Sequence, residues 1–528
     1  MTSRARPRIS ALVKIALVAL VALVYARAAG FGFVAYDDPQ NVFENHEIHL
    51  PLAASLAASW SHPVFGAYLP VTRTAWSLLW HLAPAPATFH VFNLLVHLAS
   101  VLLVFRLLRR LGPTTTAAAV GAAWFAIHPL QVEPVAWVTG AKDLLAALFS
   151  LLALDSFAAD AVAARDSGGR ARPGAHLLLA AVAYSAALLC KSSAVAVPLL
   201  APVIASALGS SRRRAWIATA AGAALAVPVV LVTRAAERTA GAVFIPPALG
   251  ARPLIALDAL GFYLTRLAAP FDLVPDHGRT PGWVLAHPGG WWIAALPVAV
   301  TLVALAAASR RPRWLAAWLL FVVPLVPVLG LIPFGYQRVS TVGDRYAYLA
   351  LFGSALAMAM TWEAAGNRWV RATLAFALVA AATTSVWQLG HWRDDQTLFA
   401  RVLQVNPRSW MAHVNRGAML GEAGRFEEAA AELRAALALA PEQAEAHGDY
   451  GNALYMLGKP DSAVAEWRTA LRLSPTLVMA HRNLGQVLAV RGERAEAIVH
   501  LREAVRLEPG DTVAAGSLRA LGAEAVPR

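Results

Sequence analysis

From about residue 11 to residue 390 the chain is a succession of apolar runs of about 15 to 20 residues, separated by polar or Pro/Gly-rich joints. A helix needs roughly 20 apolar residues to cross a hydrocarbon core, where every backbone polar group must be satisfied within the segment. The pattern predicts an all-α, polytopic helix bundle with eleven spans, at 11–29, 89–108, 114–131, 144–163, 176–190, 192–208, 215–232, 290–308, 314–332, 346–362 and 370–389. The stretch 253–275, interrupted by Asp258, Arg266, Pro270 and Asp272, reads as re-entrant or interfacial instead of a twelfth crossing. Charged residues make up 15% of the 528, against roughly 25% in soluble domains, which argues against an ordinary soluble enzyme. With Cys190 as the one cysteine, no intramolecular disulfide and no cysteine metal cluster can form.

The net charge of +13 looks at first like a nucleic-acid signal. Its distribution says otherwise. Residues 401–528 hold 15 basic and 15 acidic residues, so the excess lies in the first 400, with 30 basic against 17 acidic. Eighteen of those 30 fall at alternate joints: Arg4, Arg6, Arg8 and Lys14; Arg106, Arg109 and Arg110; Arg165, Arg170 and Arg172; Arg212, Arg213 and Arg214; Arg310, Arg311 and Arg313; Arg368 and Arg371. Read by the excess of Lys and Arg in cytoplasmic loops, the N-terminus is cytoplasmic. Everything after residue 390 is then extracytoplasmic, and no nucleic-acid partner is expected. The start also has the look of a cleavable signal peptide, with Ala26-Arg27-Ala28 as the small-residue site; the near-spanning run and the acidic pair close behind it favour a retained span.

From about residue 406 onward the composition becomes that of a soluble helical repeat. Pro407, Pro441, Pro475 and Pro509 are 34 apart, as are Gly417, Gly451 and Gly485, then Gly424, Gly458 and Gly492, then Ala429, Ala463 and Ala497. This period is the tetratricopeptide (TPR) signature. It divides the chain into a membrane domain, 1–395, and an α-solenoid, 396–528, with repeats at 410–443, 444–477 and 478–511 and a capping helix at 512–528. Gly and Ala let paired helices approach closely, and Leu433, Trp467 and Leu501 fill the groove between them. Such arrays bind peptides or partners.

Three polar constellations fall at joints on the outer side. The first is Tyr36-Asp37-Asp38-Pro39 with Asn41, Asn45 and His46; two carboxylates beside a membrane are costly unless solvated, paired or used, and could take a proton from an incoming hydroxyl. A solvated turn is the plainer account. The second is His128-Pro129 through Glu133, Pro134 and Trp137, then Gly140, Lys142 and Asp143, either a shaped loop lining a cavity or an interfacial turn anchored by Trp137. The third is Gln337-Arg338 and Asp344-Arg345-Tyr346-Ala347-Tyr348, where Arg345 runs against the positive-inside trend and suits a phosphate, or simply pairs with Asp344. Lys191 and Tyr263 read as structural. No zinc spacing, Walker loop or Gly-x-Ser-x-Gly elbow stands out.

In these residues the chain resembles the transmembrane and tetratricopeptide repeat-containing (TMTC-like) O-mannosyltransferases and their bacterial relatives. The matching pieces are Phe33-Val34-Ala35-Tyr36-Asp37-Asp38 with Asn45, His128-Pro129 with Glu133 and Ala136-Trp137, Lys142-Asp143-Leu144, Asp344-Arg345-Tyr346-Ala347-Tyr348, and Trp392 through Leu398. They run in order along nearly the whole chain. Gly140-Ala141 departs from the relatives, which often carry an arginine after the glycine, and Lys142 is the candidate substitute.

The resemblance implies a GT-C type glycosyltransferase of a bacterial inner membrane, working at the periplasmic face. It would move a sugar from a polyprenyl-phosphate carrier to protein Ser or Thr hydroxyls. Asp37 or Asp38, Asp37 preferred, would be the general base. Arg345, with Arg338, Lys142 and Tyr346, would hold the donor phosphate. His128, Glu133, Trp137 and Asn45 would line the site. The repeats would bind acceptor or partner protein. No cofactor is implied with certainty, and a divalent metal stays open. Two other readings stand beside this one: an oligosaccharide or O-antigen ligase-like transferase, and a non-catalytic repeat scaffold for envelope assembly.

Overall fold

A computed structural model of the protein describes residues 5–64, 66–167, 174–239, 246–287 and 291–524. They form helices, turns and, apart from an isolated bridge between Val64 and Ala67, no β-structure. Two compact units are present, Met1–Leu398 and Phe399–Arg528.

In the first unit, five helical segments are long and apolar enough to cross a membrane: Ile9–Gly30, Pro86–Leu111, Val138–Asp166, Arg212–Ala236 and Arg368–Trp392. Shorter apolar helices at Thr115–Ile127, Ala175–Cys190, Ser192–Ala207, Trp292–Ala307 and Pro312–Val328 account for five more of the eleven expected spans. The expected 346–362 span is helical over Leu351–Ala364. Several runs are shorter or more broken than their hydropathy implied. Ser192–Leu199 and Val323–Val328 are 3-10 helices containing Pro198 and Pro327, where a ring replaces a backbone donor. Thr115–Ile127 stops four residues short of the expected 131, because His128 turns to an extended conformation and caps the next turn. The interrupted stretch 253–275 is helical over Arg252–Ala268 and then irregular. Between the first two apolar segments lie two helices that periodicity did not flag, Leu52–Ser61 and Pro70–Leu82. They are joined through Ser55 and Ser77, whose hydroxyls are 2.8 Å apart.

The threading sorts the joints. At one end Arg106 and Arg110 grip Asp155 (2.9 and 2.7 Å), Arg214 bonds Asp160 (2.8 Å) and Arg165 bonds the Leu208 carbonyl (3.1 Å). Helix Ala141–Asp166, which supplies Asp155 and Asp160 at this end, carries Lys142 at its other end, and Leu351–Ala364, whose Glu363 accepts from Thr114 N–H (3.0 Å), follows closely on Asp344–Ala347. Of the expected inward-facing series, Arg4, Arg170, Arg172 and the side chains of Arg6 and Arg8 lie outside the described residues.

The second unit repeats one helix pair three times: Trp410–Glu422 with Phe426–Leu439, Ala444–Met456 with Pro460–Leu473, and Val478–Val490 with Arg494–Leu507. The closing helix is Thr512–Ala520, its first turn capped by Asp511, whose carboxylate accepts from Val513 and Ala514 N–H; residues 525–528 of the expected cap lie outside the described residues. Gly424, Gly458 and Gly492 turn the corner within each pair at φ of 73°, 71° and 81°, a left-handed conformation that suits glycine. Gly417, Gly451 and Gly485 face Leu433, Trp467 and Leu501, so close that a Cβ at any of them would collide.

Candidate active site

The site is built where three joints of the first unit meet. Leaving the first helix, the chain passes Phe31–Tyr36 and enters a wide π-type turn at Pro39–Phe43. The two carboxylates at this corner separate completely. Asp38 is fully buried; it accepts from Val34 N–H (3.0 Å), Thr139 N–H (3.0 Å) and the Thr139 hydroxyl (2.6 Å). Burial pushes its carboxyl up to about 7, against the pull of those hydrogen bonds. It is a clamp between the first joint and the second. Asp37, by contrast, keeps 30% of its side chain exposed and faces Lys142 Nζ at 3.2 Å.

The second joint folds into short turns at Pro129–Gln131, Val132–Ala136 and Val138–Gly140. These turns bring Glu133, Trp137 and Lys142 to one place. Trp137 is fully buried, its ring 5.2 Å from that of Tyr36 and beneath the Lys142 ammonium at 4.8 Å and the Arg345 guanidinium at 5.6 Å. Such cation–π contacts gain strength where water is excluded. Gly140 packs against the Pro134 carbonyl with no room for a Cβ, which explains the glycine.

The third joint supplies Arg345. Its Nη1 bonds Glu133 Oε1 (2.5 Å) and its backbone N–H bonds Glu133 Oε2 (3.2 Å). The guanidinium also lies over Tyr336 at 4.4 Å and Tyr346 at 4.9 Å. The sequence suggested Asp344 as its alternative partner, but Asp344 is bonded to His277 at 2.9 Å. Tyr36 and Tyr336 share a hydroxyl hydrogen bond at 3.3 Å.

Lys191, read from sequence as structural, belongs to this cluster. It sits at the break between Ala175–Cys190 and Ser192–Leu199, pairs with Asp143, and lies over the Tyr346 ring at 4.9 Å. Burial lowers its ammonium to about 8, with Asp143 pulling the other way. Lys191, Asp143, Ser193, Arg345 and Tyr346 line a cleft of about 40 Å³ together with Ala146, Ala147, Val197 and Val328. Tyr263, also read as structural, holds the Gly343 backbone through its hydroxyl (3.1 and 3.2 Å).

Three of the expected residues lie elsewhere. His128 is buried with Nε2 on the Leu267 carbonyl (3.2 Å) and Nδ1 accepting from Leu130 N–H (3.3 Å), so both ring nitrogens shape the backbone. Asn45 caps the short helix His46–His49 through Glu47 N–H (3.0 Å). Arg338 is exposed, and among the described residues no contact ties it to Arg345 or Lys142. Among the described residues, no group of three or more His, Cys, Asp or Glu side chains is placed to hold a metal ion.

A helical unit with several helices long and apolar enough to cross a membrane, followed by a repeat solenoid, defines the class: an integral membrane protein with a C-terminal helical repeat. Comparison with known proteins narrows it. The Tetratricopeptide repeat family model matches residues 381–444, 420–478 and 449–512. Among curated proteins the chain is similar to the mouse Protein O-mannosyl-transferase TMTC3, at 22% identity over 469 residues, covering 78% of this chain and 49% of that one. It is similar also to human Protein O-mannosyl-transferase TMTC4 (33% over 212 residues; 34% and 27%) and Drosophila melanogaster Protein O-mannosyl-transferase Tmtc2 (32% over 189 residues; 33% and 20%). These are the TMTC-type O-mannosyltransferases that the motifs resemble. The matches span about half the length of the mouse relative and about a quarter of the human one. Solved structures include the apo Archaeoglobus fulgidus oligosaccharyltransferase (TM-score 0.41, 12% identity, 72% of this chain and 56% of that) and the MamA protein (TM-score 0.22, 23% identity, 24% and 69%).

Proposed function

We propose that the protein is an integral membrane glycosyltransferase that moves a sugar from a polyprenyl-phosphate carrier to Ser or Thr hydroxyls of proteins on the extracytoplasmic face, as the names of its relatives suggest for mannose. The observation that carries this reading is a partly exposed carboxylate, Asp37, paired with Lys142, which shares the Trp137 ring with Arg345 of the cleft.

In the resting arrangement each cation has a carboxylate partner: Lys142 with Asp37, Arg345 with Glu133, Lys191 with Asp143. A lipid phosphate entering the cleft competes for these cations, and the small apolar side chains of its lining suit the first carbons of an isoprenoid. Drawing Lys142 onto the phosphate frees Asp37. Asp37 then takes the proton of the acceptor hydroxyl, whose oxygen forms the new bond to the anomeric carbon with inversion. The bond from that carbon to the phosphate oxygen breaks, and its electron pair leaves with the lipid phosphate, stabilised by Arg345 and Lys191. Glu133 orients Arg345. Asp38 positions the loop and takes no proton from substrate.

The test is transfer from a polyprenyl-phosphate sugar to a Ser/Thr peptide in purified membranes. Asp37→Asn should lose at least about 100-fold in kcat/KM, with donor binding retained. Full activity of Asp37→Asn would sink the proposed base, and full activity of both Asp37→Asn and Asp38→Asn would remove the acidic corner from the mechanism.

A further inference from the structure

Away from this site, the first unit carries a groove of about 510 Å³ lined by Leu264, Val300, Trp318, Phe321, Ala357 and Leu374, and by Arg311 at the joint between Trp291–Ala307 and Pro312–Val322. Its volume falls in the range of roughly 300–1,000 Å³ usual for small-molecule sites. The polar atoms of its wall are spent internally: Trp124 Nε1 donates to Ser354 Oγ (3.1 Å), Trp318 Nε1 to Thr301 Oγ1 (3.1 Å) and Thr361 Oγ1 to the Ala357 carbonyl (2.8 Å). What remains is a hydrocarbon surface.

The mouth of the groove has the opposite character. Arg311 is exposed and, among the described residues, its guanidinium has no ion pair or hydrogen bond. Arg371, one turn before Leu374, lies over the Trp362 ring at 6.0 Å, beside the lining residue Thr361. A second apolar groove, of about 280 Å³ and lined by Phe157, Tyr184 and Gly222, also includes an arginine, but that arginine, Arg214, is bonded to Asp160. A long apolar slot with uncommitted cationic charge at its mouth matches a ligand with an apolar chain and an anionic head.

We propose that this groove holds one acyl chain of an anionic phospholipid, with its phosphate met by Arg311 and Arg371. The site is separate from the donor cleft, since helix Leu351–Ala364 begins beside Arg345 and ends beside Trp362. The bound lipid would wedge Trp292–Ala307 against Leu351–Ala364.

Native mass spectrometry of the full chain in detergent, with phosphatidylglycerol and phosphatidylcholine at equal concentration, tests the proposal. Wild type should retain one phosphatidylglycerol in preference, by about fivefold for each arginine engaged. Arg311→Gln with Arg371→Gln should bring the two lipids close to equal retention. Ala357→Phe, which fills the slot, should abolish retention of both, while Asp37→Asn should bind lipid as wild type does. Equal retention by wild type, or a preference that survives the double substitution, overturns the proposal.

Discussion

Asp37 and Asp38 are neighbours in sequence and opposites in environment. The first is partly exposed and held by Lys142 and the Gln40 amide; the second is buried and saturated by three donors from two joints. Asp38→Asn keeps the size of the side chain but replaces one acceptor oxygen by a donor. Loss of activity there should therefore come with a loosened loop, read as faster amide exchange at Val34 and Thr139. Asp37→Asn should leave that exchange unchanged. A second residue-scale prediction concerns Lys191. With its ammonium lowered to about 8 by burial, it is charged below that pH and loses its grip on a phosphate as pH rises through it. Transfer activity should fall above about pH 8, and Lys191→Arg, which stays protonated, should remove that alkaline limb. An unchanged limb in the variant would take Lys191 out of the donor site. Sequence alone could not place Lys191, because nothing local distinguishes it from a lysine that ends a helix; its role comes from Tyr346 and Arg345, more than 150 positions away.

At the scale of elements, the joints matter more than the helices. Short turns between Pro129 and Gly140 replace a simple loop, and they set Glu133, Trp137 and Lys142 on one side. In the repeats, the same economy recurs every 34 residues. His413 bridges Glu432 (2.6 Å) and the Pro407 carbonyl (3.1 Å), and His447 bridges Glu466 (2.6 Å) and the Pro441 carbonyl (2.9 Å). In the third repeat His481 keeps the Pro475 carbonyl (3.0 Å) but meets His500 in place of a glutamate (2.9 Å). The small-residue positions are equally periodic. Gly451 packs on the Trp467 ring with no space for a Cβ, so Gly451→Val should overpack the second repeat by about 1–3 kcal/mol. Amide exchange across Ala444–Met456 and Pro460–Leu473 reads this directly, and unchanged exchange would show that the helices can separate without cost.

At the scale of the molecule, a membrane unit with the candidate chemistry is followed by a compact solenoid. Along the solenoid Asn483 donates to Asn452 (2.7 Å), Trp467 donates to the same Asn452 oxygen (3.1 Å), and Gln486 reaches Ser517 (3.3 Å). The bonds of Asn483 and Gln486 tie the first helix of one repeat to the helix that opens the next unit. If the repeats gather acceptor, removing residues 399–528 should raise KM for a folded protein acceptor about tenfold or more while leaving kcat on a short peptide unchanged. An unchanged KM would assign the repeats to some other partner. The sidedness is open to a direct check as well: a reporter fused after residue 528 should be active outside the cytoplasm, and cytoplasmic activity would reverse the proposed orientation.

The all-helical class, the apolar segments and the presence of the repeats were legible in sequence because each rests on local periodicity. Apolar runs match a bilayer, and a 34-residue period matches one helix pair. The acidic corner, Trp137, Lys142 and Arg345 were legible as motifs, without their partners. Which carboxylate stands free, which cation joins the cleft, and that His128 and Asn45 serve the backbone were decided in the tertiary structure. These depend on burial and on donors brought from joints about 50 to 210 positions apart, such as Glu133 to Arg345 and Asp143 to Lys191. Hydropathy records that a polar residue sits at the end of an apolar run; only packing determines what it faces there.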